Sequence, residues 1–162
     1  MNCIAAVDSN WAIGKNNKLL ISIPEDMKYF RRMTAGAVLI YGRKTLESFP
    51  NGAPLKGRRN IVLSRRDDLT VPGAEIAHSV EEALALVANE DPDRVFVIGG
   101  DSVYRAFLPH CNRAYITSID YAYAADAWFP NLSQDPAWRR TVEGDEHTCF
   151  DLCYTFDVWE RI

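Results

Sequence analysis

Residues 94–100 have the sequence RVFVIGG, in which a short apolar run ends at two adjacent glycines. An apolar run of this kind is typical of a strand that is buried on both faces of a parallel sheet. The glycines end the strand, and the segment from Ser102 to Phe107 is predicted to be helical. A strand that leads into a helix is the repeating unit of an α/β sheet.

The same alternation extends over most of the chain. Strands are predicted at 3–7, 37–41, 60–63, 75–77, 94–98 and 113–120, and helices at 23–34, 43–49, 79–88 and 102–107. Ser22 and Glu25 have the spacing of a capping box, and Ser79 is a predicted N-cap. The segment Asp8–Leu20 is a long polar loop, and loops of this length are usually functional or disordered.

The C-terminal part of the chain has a different pattern. From Phe150 to Val158 every second residue is apolar, which predicts a half-exposed antiparallel strand. Its predicted partner is Arg139–Glu143, joined to it through a polar hairpin that contains Gly144 and Asp145. The chain is therefore predicted to form one mostly parallel α/β sheet with an antiparallel edge, in a single domain over residues 1–162.

Composition excludes several classes of protein. Of the 162 residues, 48% are hydrophobic. The net charge is −4, and this negative charge argues against general binding to nucleic acid or anionic lipid. The four cysteines show no metal-ligand spacing, so no metal is expected. Neither a signal peptide nor a membrane span is predicted, and a cytoplasmic location is expected.

Asp26 is the first candidate for chemistry. It lies in the first turn of the first predicted helix, and Phe30 and Met33 continue the same stripe of the helix surface. A carboxylate on an apolar face is unfavourable unless it is hydrogen-bonded, and an aminopyrimidine edge would satisfy both of its oxygens. The alternative is that Asp26 faces water and stabilises the helix N-terminus electrostatically.

Two further candidates follow predicted strands, where α/β sheets bind ligands. Gly99-Gly100 would let a phosphate approach backbone N–H groups, although a plain tight turn explains it equally well. The pairs Arg43-Lys44 and Arg65-Arg66, with Ser64, suit a 2′-phosphate, or they are solvated surface charges. Arg58 and Arg59 precede a strand and better suit a substrate carboxylate at its other end.

Other catalytic patterns are missing from the sequence. The three histidines lie in no nucleophile–base context, no pair of carboxylates indicates a glycosidase, and there is no Walker loop. One buried acid beside a phosphate-binding edge instead fits a reaction in which a cofactor supplies the chemistry.

Taken in order, the motifs resemble those of the dihydrofolate reductase family over nearly the whole chain. The segments that carry the resemblance are Ile4–Val7, Ala12–Asn17, Ile23–Met27 with Phe30, Tyr41–Thr45, Gly57–Asn60, Val62–Arg65, Ile98–Gly100 with Val103-Tyr104, Tyr115–Thr117, and Asp126 before Phe129-Pro130. One departure is Ile21, at a position where many relatives carry a tryptophan that orders a water near the acid.

The resemblance implies an eight-stranded, mostly parallel sheet with helices on both faces and an antiparallel C-terminal strand. It implies NADPH-dependent reduction of dihydrofolate by a cytoplasmic monomer that antifolates inhibit, with Asp26 as the acidic residue at the pteridine. The implied substrate-binding residues are Ala6, Asp26, Met27, Phe30, Arg58 and Thr117. The implied NADPH-binding residues are Ala6, Ile13, Gly14, Arg43, Lys44, Thr45, Ser64, Arg65, Ile98, Gly99, Gly100 and Tyr104.

The resemblance also implies that Asp8–Leu20 is a mobile lid and that Asp126 tethers it from another loop. Two alternatives remain at this stage. One is a riboflavin-pathway reductase of the same fold, against which Asp26 and Phe30 argue. The other is a nucleotide-binding module without turnover.

Overall fold

The computed structural model describes residues 1–162 as twelve strands and four α-helices. The strands are β1 (Asn2–Val7), β2 (Ala12–Lys15), β3 (Lys18–Leu19), β4 (Val38–Gly42), β5 (Arg59–Leu63), β6 (Ala74–Ala77), β7 (Val95–Gly99), β8 (Arg113–Ile119), β9 (Ala127–Trp128), β10 (Trp138–Val142), β11 (His147–Cys149) and β12 (Leu152–Arg161). The helices are α1 (Pro24–Thr34), α2 (Arg43–Ser48), α3 (Val80–Leu86) and α4 (Asp101–Phe107).

The main sheet has the strand order β10-β12-β8-β1-β7-β4-β5-β6, and β11 pairs with β12 off this path. All pairs from β8 to β6 are parallel, whereas β12 is antiparallel to β8, β10 and β11. The reversed C-terminal strand and the mostly parallel sheet confirm the predicted fold class.

Helices cover both faces of this sheet, which explains why its central strands are apolar throughout. On β4, Val38 and Ile40 face one cluster of the core, which includes residues of α3 and α4. Leu39 and Tyr41 face the other cluster, on which α2 and part of α1 pack. The four side chains are at most 3% exposed, so the alternation of a strand distributes them between two buried layers.

Three local predictions need correction: the cap of α1, the irregular loop Asp8–Leu20 and the C-terminal hairpin. Ile23, not Ser22, is the N-cap of α1, and no side chain caps this helix, because Pro24 occupies its first position and itself has no N–H to satisfy. By contrast, the Ser79 cap is confirmed, since its side chain accepts a hydrogen bond from the N–H of Glu82.

The loop Asp8–Leu20 contains regular structure. β2 and β3 form a hairpin within it, and β9 pairs with β2 to complete a small three-stranded sheet. Asn16 and Asn17 form the turn with positive φ, a conformation that asparagine tolerates better than most residues. The sequence pattern did not predict this hairpin because its strands are only four and two residues long.

The C-terminal hairpin also differs from the prediction. Phe150 is 97% exposed and lies in the tight turn between β11 and β12, not in a strand. On the supposedly polar face of β12, Asp157 and Trp159 are 1% and 9% exposed. This face of β12 is covered because Trp159 packs edge-on against Trp11 of the segment Asp8–Leu20.

None of the helices is long and apolar enough to cross a membrane.

Candidate active site

The carboxyl ends of the parallel strands lie at one edge of the sheet, the edge at which open α/β folds bind ligands. Here β1, β4, β5, β7 and β8 end at Val7, Gly42, Leu63, Gly99 and Ile119. Helix α1 begins beside this edge and runs towards the opposite one. Most of the sequence-predicted site residues come from these strand ends and the helices that follow them, from α1 and from β2, whereas Arg58 precedes β5.

Asp26 points inwards, towards β8. The Thr117 hydroxyl donates a hydrogen bond of 2.7 Å to Oδ1 of Asp26, and Thr117 itself is 2% exposed. Burial raises the pKa of Asp26, and the Thr117 hydrogen bond opposes that rise. The interpretation of Asp26 as a solvent-facing helix cap is therefore wrong.

The second carboxylate oxygen of Asp26 has no protein partner. No other hydrogen bond and no salt bridge reaches this side chain. A half-buried carboxylate prefers to have its remaining lone pairs satisfied. The arrangement therefore suits a ligand that presents N–H donors to Asp26.

Apolar residues line the surroundings of this carboxylate. Ala6 pairs with Thr117 in the register of β1 and β8, so it lies next to the acid. Phe30 packs against the core cluster on the α1 face of the sheet. Met27 is 40% exposed, so it lies at the rim of this region.

Arg58 lies at the far end of α1. Its Nη1 donates to the Thr34 hydroxyl at 3.2 Å and its Nε donates to the Lys56 carbonyl at 3.0 Å. Thr34 lies eight positions after Asp26 on the helix, which corresponds to about 12 Å. Burial and the neighbouring Arg31 lower the pKa of Arg58, as expected for a cation that no carboxylate of the protein neutralises.

Arg59, unlike Arg58, is neutralised by carboxylates of the protein. Its guanidinium forms salt bridges with Glu75 at 2.6 Å and with Glu90 at 2.9 Å. These two carboxylates raise the pKa of Arg59. The prediction that both arginines suit a substrate carboxylate is therefore wrong for Arg59, whose charge is already used within the fold.

The Gly99-Gly100 turn lies between β7 and α4. Gly99 has a φ of +124°, which L side chains rarely adopt, and the peptide bond between the two glycines is cis. A Cβ on Gly99 would lie 3.4 Å from the Tyr104 ring and 3.6 Å from Oγ1 of Thr45. Glycine therefore keeps the backbone here open to a close approach, with Thr45 beside it.

Ile98 and Tyr104 flank this turn. Ile98 is partly buried and packs on the α1 face of the sheet. Tyr104 is 4% exposed, and its hydroxyl donates to the Ile4 carbonyl at 2.7 Å. This hydrogen bond anchors α4 to β1 beneath the turn, and burial raises the pKa of Tyr104.

The basic residues at the same edge differ in their partners. Arg43 forms a salt bridge of 2.8 Å with Glu47 one helical turn away. Arg65 is exposed and takes part in no salt bridge, whereas Arg66 lies 3.4 Å from Asp68. Ser64 Oγ accepts from the Arg66 N–H at 3.2 Å, which leaves its own O–H free to donate.

The β2–β3 hairpin of the lid segment also contacts elements at this edge. Ile13 and Gly14 lie on β2, and a Cβ on Gly14 would lie 2.8 Å from the Lys18 carbonyl oxygen. The Asn17 side chain donates to the Lys44 carbonyl at 2.9 Å, so the tip of the hairpin contacts α2. Asp126 accepts from the Asn16 N–H at 3.0 Å, which joins the tip to the β8–β9 connection.

The comparison with known proteins identifies the family. A family model described as dihydrofolate reductase matches residues 1–161. The chain belongs to the dihydrofolate reductase family. Among curated relatives, the dihydrofolate reductase of Staphylococcus haemolyticus is 37% identical over all of this chain and 96% of its own length. The Bacillus subtilis (strain 168) enzyme is 37% identical over 98% and 92%, and that of Mycobacterium tuberculosis (strain H37Rv) is 39% identical over 84% and 82%.

Within this member of the dihydrofolate reductase family, sequence reasoning missed two residues at the site edge. His78 follows β6, and its Nδ1–H donates to the Ser64 carbonyl at 2.9 Å, which makes Nδ1 the protonated nitrogen. Asp8 follows β1 and is 3% exposed. Both come directly after a parallel strand, and this position was the signal that could have singled them out.

Proposed function

We propose that this chain reduces 7,8-dihydrofolate to 5,6,7,8-tetrahydrofolate with a hydride from NADPH. Family membership supports the reaction and a nicotinamide cofactor. The observation that carries the assignment is the inward carboxylate of Asp26, held by Thr117 on one oxygen and free on the other. The pteridine ring presents adjacent N–H donors that match this free acceptor.

The protein's contribution is to orient and polarise the reactants. Asp26 hydrogen-bonds the aminopyrimidine side of the pteridine and places a negative charge beside the ring, which favours protonation at N5. Thr117 fixes the rotamer of Asp26. Ala6, Met27 and Phe30 supply the apolar walls, and closure of the β2–β3 hairpin excludes water.

The site also fits the cofactor. When bound, NADPH supplies the hydride that reaches pteridine C6. Gly99, Gly100 and Thr45 would leave space and a hydroxyl for the pyrophosphate, at a point where the φ of +124° at Gly99 disfavours any residue that carries a side chain. Ile13, Gly14, Ile98 and Tyr104 would surround the nicotinamide.

The preference for NADPH over NADH is assigned to the basic edge. Arg65 has no carboxylate partner, and the Ser64 hydroxyl is free to donate, so both are available to a 2′-phosphate. Arg43 would exchange Glu47 for the phosphate, and Lys44 would contact the pyrophosphate. An exposed pair such as Arg43–Glu47 contributes little stability, so giving it up costs little.

Arg58 is assigned to the carboxylate of the glutamate tail. Its position about 12 Å along α1 from Asp26 leaves room for the aryl group of the substrate between the two charges. The same site would accept antifolate diaminopyrimidines, because a diaminopyrimidine protonated on a ring nitrogen presents a ring N–H and an adjacent amino N–H to Asp26. We further infer one domain over residues 1–162 that acts as a cytoplasmic monomer, and its four free cysteines suit a reducing compartment.

The experiment mixes the protein with NADPH and dihydrofolate and follows the loss of nicotinamide absorbance. Turnover that a diaminopyrimidine antifolate abolishes is the expected result. NADPH binding without oxidation would contradict the assignment and favour a nucleotide-binding module. Turnover of a riboflavin-pathway pyrimidine, but not of dihydrofolate, would favour the other reductase.

A further inference from the structure

A buried carboxylate that the proposed chemistry does not use lies at the carboxyl end of β1. Asp8 is 3% exposed and takes part in no salt bridge. A buried charge without a counter-ion is unfavourable unless hydrogen bonds satisfy it. The bonds that stabilise Asp8 therefore show which parts of the chain depend on it.

Three backbone N–H groups donate to this carboxylate. Oδ1 accepts from Asn10 at 2.8 Å and from Ala12 at 2.9 Å, and Oδ2 accepts from Tyr123 at 2.9 Å. Hydrogen bonds to an ionised acceptor are stronger than neutral ones. The two oxygens thus join segments that are 115 residues apart in sequence.

Main-chain bonds surround the same point. The Asp8 N–H donates to the Ala12 carbonyl, and the Trp11 N–H donates to the Asp8 carbonyl, each at 3.0 Å. The Ser9 N–H donates to the Tyr121 carbonyl, also at 3.0 Å. The turn at 8–12 is therefore closed on itself and fastened to the β8–β9 connection.

This turn leads directly into the lid. Ala12 is the first residue of β2, and Ile13 and Gly14 follow it. The other partner, Tyr123, lies three residues before Asp126, which holds the tip of the hairpin through Asn16. The base of the lid and its tip are thus both attached to residues 120–126, the base through a part-buried contact and the tip through an exposed one.

We propose that Asp8 is a positioning residue for hydride transfer: its carboxylate fixes the base of the lid against residues 120–126 and so sets where Ile13 and Gly14 lie. The part of this proposal that concerns the nicotinamide rests on the proposed function. Asp8 touches neither substrate nor cofactor and acts only through the backbone that it holds.

The test is Asp8→Asn. The amide can keep its oxygen towards Asn10 and Ala12, but its NH₂ group then meets the Tyr123 N–H, two donors without an acceptor. Hydride transfer is measured in a single turnover with NADPH and with NADPH deuterated at the transferred position. The expected result is a rate about 10-fold lower, a larger isotope effect on kcat, and KM for dihydrofolate changed much less than kcat.

Asp157→Asn is the matched control. Asp157 is 1% exposed and accepts from the Ser118 hydroxyl at 2.9 Å and from the Gly144 N–H at 3.0 Å. It also lies 3.8 Å from Arg140, and none of these partners lies in the lid. This variant should lose a similar amount of thermal stability and keep the wild-type hydride-transfer rate. An Asp8→Asn rate equal to wild type, or an equal loss in both variants, would overturn the proposal.

A second measurement does not depend on catalysis. Amide hydrogen exchange in the ligand-free protein should show a protected Tyr123 N–H that loses protection in Asp8→Asn and keeps it in Asp157→Asn. Unchanged protection of the Tyr123 N–H in Asp8→Asn would refute the role of Asp8 in fixing the lid, whether or not the wild-type protein turns over. Absence of turnover in the wild-type protein would by itself refute only the proposed function. If Asp8→Asn does not fold, Asp8→Ser replaces it, since a serine hydroxyl can accept from Asn10 but cannot also reach Tyr123.

Discussion

Two side chains from distant parts of the chain define the chemistry at the scale of single residues. Asp26 lies in the first turn of α1 and Thr117 on β8, yet their oxygens are 2.7 Å apart. The pKa of Asp26 reflects two opposing effects, burial that raises it and the Thr117 hydroxyl that lowers it. The direction in which activity, stability or the pH profile changes can therefore be predicted for removal of the Asp26 carboxylate or of the Thr117 hydroxyl.

Asp26→Asn should reduce turnover about 10²–10⁴-fold while NADPH binding is kept. The variant keeps an oxygen that can accept from Thr117 but can no longer carry the charge beside the pteridine. Single-turnover rates and cofactor titration measure the two effects separately. Turnover within twofold of wild type at neutral pH would show that the charge of Asp26 does not contribute to the reaction.

The same variant should be more stable than the wild type at neutral pH. Because the folded pKa of Asp26 is raised, the buried charge disfavours folding at pH values above that pKa. The penalty shrinks as the pH falls towards the unfolded pKa and is absent below it, where both states are protonated. Thermal unfolding should show a melting temperature a few degrees higher for Asp26→Asn at pH 7 and no difference at pH 3.

Thr117→Val should move the pH dependence of the reaction to higher pH. Valine keeps the shape of threonine but has no hydroxyl to stabilise the ionised form of Asp26, so the pKa of Asp26 rises further. The pH profile of the hydride-transfer rate measures the shift. Ser118→Ala is the control, because its hydroxyl donates to Asp157 instead, and an equal shift in that variant would contradict the assignment.

At the scale of elements, the lid is a folded hairpin and not an irregular loop. β2 pairs with β3 on one side and with β9 on the other. Gly14 is central to both pairings, since it is opposite Leu19 and Ala127. A steric change at Gly14 should therefore disturb both pairings.

Gly14→Ala should slow hydride transfer about 10-fold with little loss of global stability. The new methyl group would lie 2.8 Å from the Lys18 carbonyl oxygen, which would force β2 and β3 apart next to the position proposed for the nicotinamide. Lys15→Ala, on the exposed side of the same strand, should leave the rate unchanged. Single-turnover kinetics and chemical denaturation measure the two quantities, and a large stability loss with an unchanged rate would contradict this reasoning.

At the scale of the whole molecule, the parallel sheet brings Arg43 and Arg65 to one edge. β4 and β5 are neighbours in register, with Gly42 opposite Leu63, so the residues that follow these strands meet at the edge proposed for the cofactor. Helix α1 spans the sheet from this edge to Arg58 at the other. The sheet therefore carries Arg43 and Arg65 at one edge and Arg58 near the other, with Asp26 at the start of α1.

Arg65→Ala should weaken NADPH binding about 10-fold and leave NADH binding nearly unchanged, because only NADPH carries the 2′-phosphate that Arg65 would bind. The thermal shift that each cofactor produces reports the difference. Arg66→Ala is the control, since Arg66 is paired with Asp68 and should discriminate little between the cofactors. An equal effect of both variants would indicate a diffuse surface potential.

The apolar runs of β1, β4, β5 and β7 and the alternation in β12 were enough to predict a mostly parallel sheet with a reversed C-terminal strand. Local patterns carry this information because strands and helices have fixed periods. They also placed Asp26 on an apolar helix face, where a ligand-binding carboxylate is expected.

Other features depend on which distant residues meet. Thr117 holds Asp26, Glu75 and Glu90 neutralise Arg59 but not Arg58, and Asp8 reaches Tyr123. No local pattern predicts these pairs, because hydrogen bonds and salt bridges act over only a few ångströms and the partners are 16 to 115 residues apart. Only the register of the assembled sheet brings them within that range.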